Sequence, residues 1–152
     1  MVLAFDPATI AFYDREAVPY SNSSQRSRHI DAFIAVVGTG AKVLELGCGA
    51  GLDAEALLSA GIEVTATDAS SEMAAIASAR IGRPVRIMRF DEISEVDVFD
   101  GVWANACLLH VPFGALESIL SAVRASLRIG GVFYASFKAG EGEGRDRLGR
   151  LY

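Results

Sequence analysis

Cysteine is scarce in this chain: two residues, Cys48 and Cys107, among 152. Two cannot make a disulfide framework, and neither has a CxxC partner, so both read as reduced, small apolar fillers. The only histidines are His29 and His110. Ligands for a structural metal are therefore too few, and no metal is expected. Long apolar runs are missing too, since none approaches the roughly 18 to 20 residues of a membrane span. The N-terminus lacks a basic segment leading to an apolar run and a small-residue cleavage site. Positive charge is short: 14 Lys and Arg face 19 Asp and Glu, for a net charge of −5. Its basic residues lie in separate small groups around Arg26, Arg80–Arg89 and Arg145–Arg150, which read as solvated faces. That argues against a nucleic-acid partner held through phosphates. Together these absences imply a soluble cytoplasmic protein without a membrane partner.

What is present is apolar and periodic. A hydrophobic content of 51% is ample for one packed core, so a single domain is expected. After residue 40, strand and helix signals alternate, the pattern of a parallel sheet with crossover helices. Strands are expected over residues 42–46, 63–67, 85–88, 98–104 and 132–137. Helices are expected over 53–59, 71–81 and 113–128; in the last, Leu116, Ile119, Leu120, Val123 and Leu127 share one face. Upstream, Ile30, Phe33, Ile34 and Val37 predict a helix over 26–37. A short helix is expected over 5–20, with Pro19 and residues 21–24 forming a loop after it. The glycine-rich, charged stretch 139–150 reads as a mobile loop.

One stretch carries chemistry. Val43-Leu44-Glu45-Leu46 is an apolar strand holding one acid, and Gly47-Cys48-Gly49-Ala50-Gly51 sets three glycines on alternate positions ahead of a helix. A glycine turn at a helix N-terminus lets backbone N–H groups approach a ligand closely. The dinucleotide fingerprint G-x-G-x-x-G/A fits less well, because Leu52 holds the place of its last glycine. Glu45-Leu46-Gly47-Cys48-Gly49-Ala50-Gly51 instead resembles motif I of the class I S-adenosylmethionine (SAM)-dependent methyltransferases. Ile62–Asp68 resembles their motif II, and Phe99–Pro112 resembles motif IV.

The resemblance implies an α/β, Rossmann-like, doubly wound and mostly parallel sheet with helices on both faces. It divides the chain into an N-terminal lid and packing helix (1–40), a SAM-binding core (41–138) and a loop (139–152). That family normally adds an antiparallel strand pair after strand five, and here the pair is expected to be absent or incomplete. Such an uncovered strand edge would favour association, although the oligomeric state itself is not readable.

By the same resemblance SAM is the cofactor and S-adenosylhomocysteine (SAH) the product, with a small molecule as methyl acceptor. The motif I residues Glu45, Gly47, Cys48, Gly49 and Gly51 would meet its methionine and ribose portions. Asp68, with Ala69 beside it, would hold the ribose hydroxyls, and an N-cap is its alternative role. Met73, Phe90, Asp91 and Glu92 would surround the adenine. Ala104 and Asn105 would floor the site below the sulfonium. Tyr13, Tyr20 and Arg26 belong to the lid; the two tyrosines would contact the cofactor carboxylate or surround its methyl group, with packing of the lid as their alternative role, and Arg26 is a possible partner for the carboxylate. His110 is either a general base or a brace for the loop ahead of Pro112. A SAM-binding protein without catalysis and an NAD-dependent oxidoreductase are the competing readings. A polyamine-forming enzyme of this fold would carry acids near strand four, where the chain has none.

Overall fold

A computed structural model describes residues 3–152. Five parallel strands form the sheet: β1 (Lys42–Glu45), β2 (Glu63–Asp68), β3 (Arg86–Ile87), β4 (Phe99–Ala104) and β5 (Leu127–Ala135). They lie in the order β3-β2-β1-β4-β5. Helices α1 (Pro7–Ser23), α2 (Ile30–Val37), α3 (Leu52–Ser59), α4 (Ser71–Ile81) and α5 (Phe113–Ser126) complete it. Single 3-10 turns at Phe90–Glu92 and Leu108–His110 follow β3 and β4. The Rossmann-like α/β architecture expected from the sequence is the one observed.

The alternation of β1 and β4 divides the core. Val43 and Trp103 point to one face, where they pack with Ile30 and Phe33 of α2 and Leu57 of α3. Leu44, Leu46, Val102 and Ala104 point to the other, against Ala115, Ile119 and Val123 of α5. A third group of small side chains, Ala54, Ala66, Ala74 and Ala77, brings α3 and α4 close together over β2. A parallel sheet covered on both faces needs apolar residues at successive positions of its central strands, and Val43-Leu44 meets that need.

Trp103 ties the layers together. Its ring stacks on Tyr134 at 4.0 Å and packs against Phe33 at 5.0 Å. Its indole N–H donates to Asp53 Oδ2 at 3.0 Å. Asp53 Oδ1 accepts from the Ser27 N–H at 2.8 Å, so one buried carboxylate joins β4, α3 and the approach to α2.

Some boundaries differ from expectation. Helix α1 runs through Pro19 to Ser23, where a loop was expected. The hydroxyl of Ser21 donates to Ala17 O, and those of Ser23 and Ser24 donate to Tyr20 O, which satisfies the last carbonyls locally. Strand β5 starts at Leu127, five residues early, because Leu127 pairs with Phe99 directly after α5. Segment 139–152, expected to be a mobile loop, turns back on itself as a hairpin packed on α1. Gly144 and Tyr152 exchange two backbone hydrogen bonds of 2.9 Å, and Arg145 grips Asp6 through both carboxylate oxygens at 2.9 and 2.7 Å. That guanidinium holds the Asp6 carboxyl down to about 2. Among the described residues no helix is long and apolar enough to cross a membrane.

Gly101 marks the closest approach of α2 to the sheet: a Cβ there would lie 2.9 Å from Phe33 Cζ and 3.0 Å from Val37 Cγ1. Gly101→Ala should therefore cost about 1–3 kcal/mol by overpacking. Urea unfolding measures this, and an unchanged midpoint would mean that α2 does not seat there.

Candidate functional site

Strand order reverses between β1 and β4, because the crossover through α3 carries the chain to one side and β4 returns on the other. Connections above the strand ends diverge at such a point and leave a crevice. The crevice is observed there. Its lining includes Glu45 at the end of β1 and Gly47–Ala50 after it, Asp68–Ser70 at and after the end of β2, and Asn105–Cys107 after β4, with α1 across the top.

Gly47, Gly49 and Gly51 all have positive φ, at 58°, 55° and 84°. Gly47 and Gly51 have a steric reason besides. A Cβ on Gly47 would stand 2.5 Å from Cys107 Cβ, so the turns after β1 and β4 touch only because glycine is there. Gly51 lies outside the crevice; a Cβ there would be 3.1 Å from Ala77, so this glycine lets α3 approach α4. The expected row of bare N–H groups is only partly present. Cys48 N donates to Thr67 O at 2.8 Å, Gly49 N to Asp68 Oδ2 at 2.9 Å and Gly51 N to Cys48 O at 3.0 Å.

Asp68 thus fixes the glycine turn. Its Oδ1 also accepts from Ser70 N at 2.9 Å. The N-cap of α4 is Ser70, whose Oγ accepts from Met73 N, so Asp68 is not the cap. Each carboxylate oxygen retains a free lone pair toward the crevice. Burial pushes the Asp68 carboxyl up, against the backbone N–H groups of Ser70, Gly49 and Ala69 that lower it. Glu45 is more extreme: it is buried, its Oε2 has no partner, and its carboxyl is raised well above 4.5 by desolvation and then by Asp53 and Asp68. An unpaired buried carboxyl facing a cleft is a costly arrangement unless something binds it.

Of the expected site residues, Tyr13, Tyr20, Glu45, Gly47, Cys48, Gly49, Asp68, Ala69, Met73, Phe90, Asn105 and His110 meet at this crevice. Five do not. Arg26 is held outside by both oxygens of Asp31, at 2.8 and 2.7 Å, and Ser24 and Gln25 line the crevice in its place. Asp91 is paired with Arg89, and Glu92 Oε2 accepts from Arg89 N at 2.7 Å, so both acids serve their own turn. Ala104 is fully buried in β4, one residue short, and Gly51 packs on α4 as described. Beyond Ala104 the backbone turns sharply at Ala106, φ 48°, held by a 2.7 Å bond from its N–H to Ser136 Oγ.

Several lining residues carry no motif: Phe5, Asp6, Thr9 and Ile10 at the start of α1, and Arg89. The Arg89 guanidinium lies 4.5 Å from the Phe5 ring, closing the crevice at that end. The Pro7-helix start with Asp6 as N-cap, accepting from Thr9 N at 2.9 Å, was the one available sequence signal for this wall. Beside it, Tyr13 Oη lies 2.9 Å from His110 Nε2. Burial lowers the affinity of His110 for a proton.

The sequence has no significant match among curated proteins. In structure it is similar to 1,6-didemethyltoxoflavin-N1-methyltransferase of Burkholderia thailandensis, solved with 1,6-didemethyltoxoflavin and SAH bound. The TM-score is 0.76 at 26% identity, covering 100% of this chain and 73% of that one. A DhpI–SAH complex matches at TM-score 0.70 and 24% identity, covering 100% and 79%. N-methyltransferase NodS from Bradyrhizobium japonicum WM9, in complex with SAH, matches at 0.70 and 19%, covering 84% and 72%. The family model of the methyltransferase domain matches residues 43–131, from β1 into β5. The chain therefore belongs to the methyltransferase domain family, and its fold is that of the class I enzymes.

Proposed function

We propose that this chain transfers a methyl group from SAM to a small-molecule acceptor and releases SAH. The observation that carries the reading is the orphaned Glu45 Oε2, buried at the switch-point crevice beside Asp53 and Asp68. A cationic ligand relieves that arrangement, and the ammonium and sulfonium of SAM supply positive charge. The residues present fit the group. Gly47 and Gly49 leave room where a side chain would stand, and Asp68 has acceptor capacity for two ribose hydroxyls. Met73 and Phe90 offer apolar surface to the adenine, and Cys48 and Ala69 line the same crevice.

When bound, SAM supplies an electrophilic methyl that needs no further activation. The work of the chain is then to bind, orient and exclude water. Asn105 is held toward the crevice by Ser136, whose hydroxyl donates to Asn105 Oδ1 at 3.0 Å. Helix α1 is pinned over the site through Asp14, which accepts from Ser70 Oγ at 2.6 Å. A small acceptor is favoured over nucleic acid by the net charge of −5 and because the nearby Arg89 and Arg145 are already paired with Asp91 and Asp6.

Calorimetric titration tests the cofactor. SAH should bind and NAD should not, and Asp68→Ala should weaken SAH by at least about tenfold, or ~1.4 kcal/mol. NAD binding in place of SAH would overturn the reading, while SAH binding without turnover of any acceptor would favour a non-catalytic SAM-binding protein.

Glu45 predicts a trade between binding and stability. Below its ordinary value of 4.5 the folded and unfolded chains both hold this proton. Above 4.5 the folded chain retains it and the unfolded chain does not, so stability falls as pH rises toward the raised folded value. The loss is at most about 1.4 kcal/mol per pH unit. Glu45→Gln should escape this loss, growing more stable than the parent as pH rises, yet bind SAH more weakly. Urea melts across pH, paired with SAH titrations, check both halves.

A further inference from the structure

Four groups meet at the α1 side of the crevice, and their hydrogen bonds have only one consistent direction. Leu151 O lies 2.6 Å from His110 Nδ1, and a carbonyl can only accept. Nδ1 therefore carries the proton, and the other nitrogen of the neutral ring, Nε2, is an acceptor. Its partner is Tyr13 Oη at 2.9 Å, so the phenol donates to the imidazole. Arg150 Nη1 donates to the same Oη at 3.2 Å. That leaves one lone pair on Tyr13 Oη, and Tyr13 lines the crevice while Arg150 and Leu151 stand behind it. Burial keeps His110 neutral, helped by Arg150 and Lys138 and opposed by Asp146 and the Leu151 carbonyl. Tyr152 packs edge-on against the imidazole at 4.8 Å, and Tyr20 against Tyr13 at 5.1 Å.

With Tyr13, the crevice is lined by the apolar and aromatic side chains of Phe5, Ile10, Tyr20 and Val111, and the Asp6 carboxylate among them is spent on Arg145. These four side chains carry no charge, in contrast to the carboxylates beneath the glycine turn. A flat, uncharged ring fits such walls, and its N–H or O–H can donate to the one free acceptor.

Resting on the methyl-transfer reading, we propose that Tyr13 and His110 form a proton-accepting pair for a neutral aromatic acceptor bearing an ionisable O–H or N–H. The acceptor's X–H bond breaks and its proton goes to Tyr13 Oη. The phenolic proton moves to His110 Nε2, and the electron pair stays on X as the nucleophile. The positive charge ends on the imidazolium, braced at Nδ1 by the Leu151 carbonyl, while the Arg150 hydrogen bond holds Tyr13 Oη in place. His110 thus takes the proton through Tyr13, and the hairpin positions both.

The probe is 4-nitrophenol, whose phenolate is read by absorbance. On the SAH-loaded protein its titration should move at least about one pH unit lower than in water, a tenfold or greater change in ionisation. Tyr13→Phe and His110→Asn should each return it to the free curve, read on protein saturated with SAH. Absence of 4-nitrophenol binding, an unshifted curve, or a shift that survives His110→Asn would overturn the proposal. If the parent chain fails to bind SAH, the cofactor reading falls, and the same titration on the unliganded protein decides the pair alone. Nitrogen-15 spectra of the parent chain give a check independent of the variants. His110 should show a protonated Nδ1 and bare Nε2 at neutral pH, and the opposite tautomer or an imidazolium would refute the assignment.

Discussion

The reversal of strand order between β1 and β4 is the constraint on which the rest depends. It sends the connections after two neighbouring strands to opposite sides, and no side chain is needed to open the space between them. What the sequence must then do is prevent the space from closing badly. Gly47 lets the two turns touch at Cys107 without a Cβ between them, and Asp68 and Ser70 hold the glycine turn from the β2 side. The depth of the crevice is set by these contacts, and its position by topology alone.

That division explains what was legible beforehand. Alternating strand and helix signals, and glycines at 47, 49 and 51, are local patterns, and both fold class and the motif I wall followed from them. Asp68 was expected for the same reason, as an acid at a strand tip, and it lines the crevice. Asp91 and Glu92 misled because an acid beside an arginine forms a local pair, and Arg89 takes both. Arg26 misled likewise, through Asp31 five residues away. Pro19 was read as a helix end, yet the serines after it supply hydrogen bonds that composition does not reveal. Long-range contacts left no trace at all: nothing near Asp6 announces Arg145.

The crevice is electrically lopsided. Around the glycine turn lie Glu45, Asp53 and Asp68, while the α1 side contributes Phe5, Ile10, Tyr13 and Tyr20 beside an Asp6 already paired with Arg145. A charge unmatched by solvent weighs more in such low-dielectric surroundings, so the acidic end favours a cation strongly and the other end is indifferent to charge. Two ligand portions of opposite character can share one cleft without competing for it.

The outer wall also has a consequence for assembly. Its hydrogen bonds join residues 139 and 142 positions apart, Arg145 to Asp6 and Leu151 to Thr9. Loop closure on that scale is slow relative to pairing neighbouring strands and their crossover helices. The glycine turn is held by contacts from β2 and β4 alone, whereas the Tyr13–His110 pair also depends on residues 150 and 151, so fraying of this segment would loosen the pair and leave the turn intact.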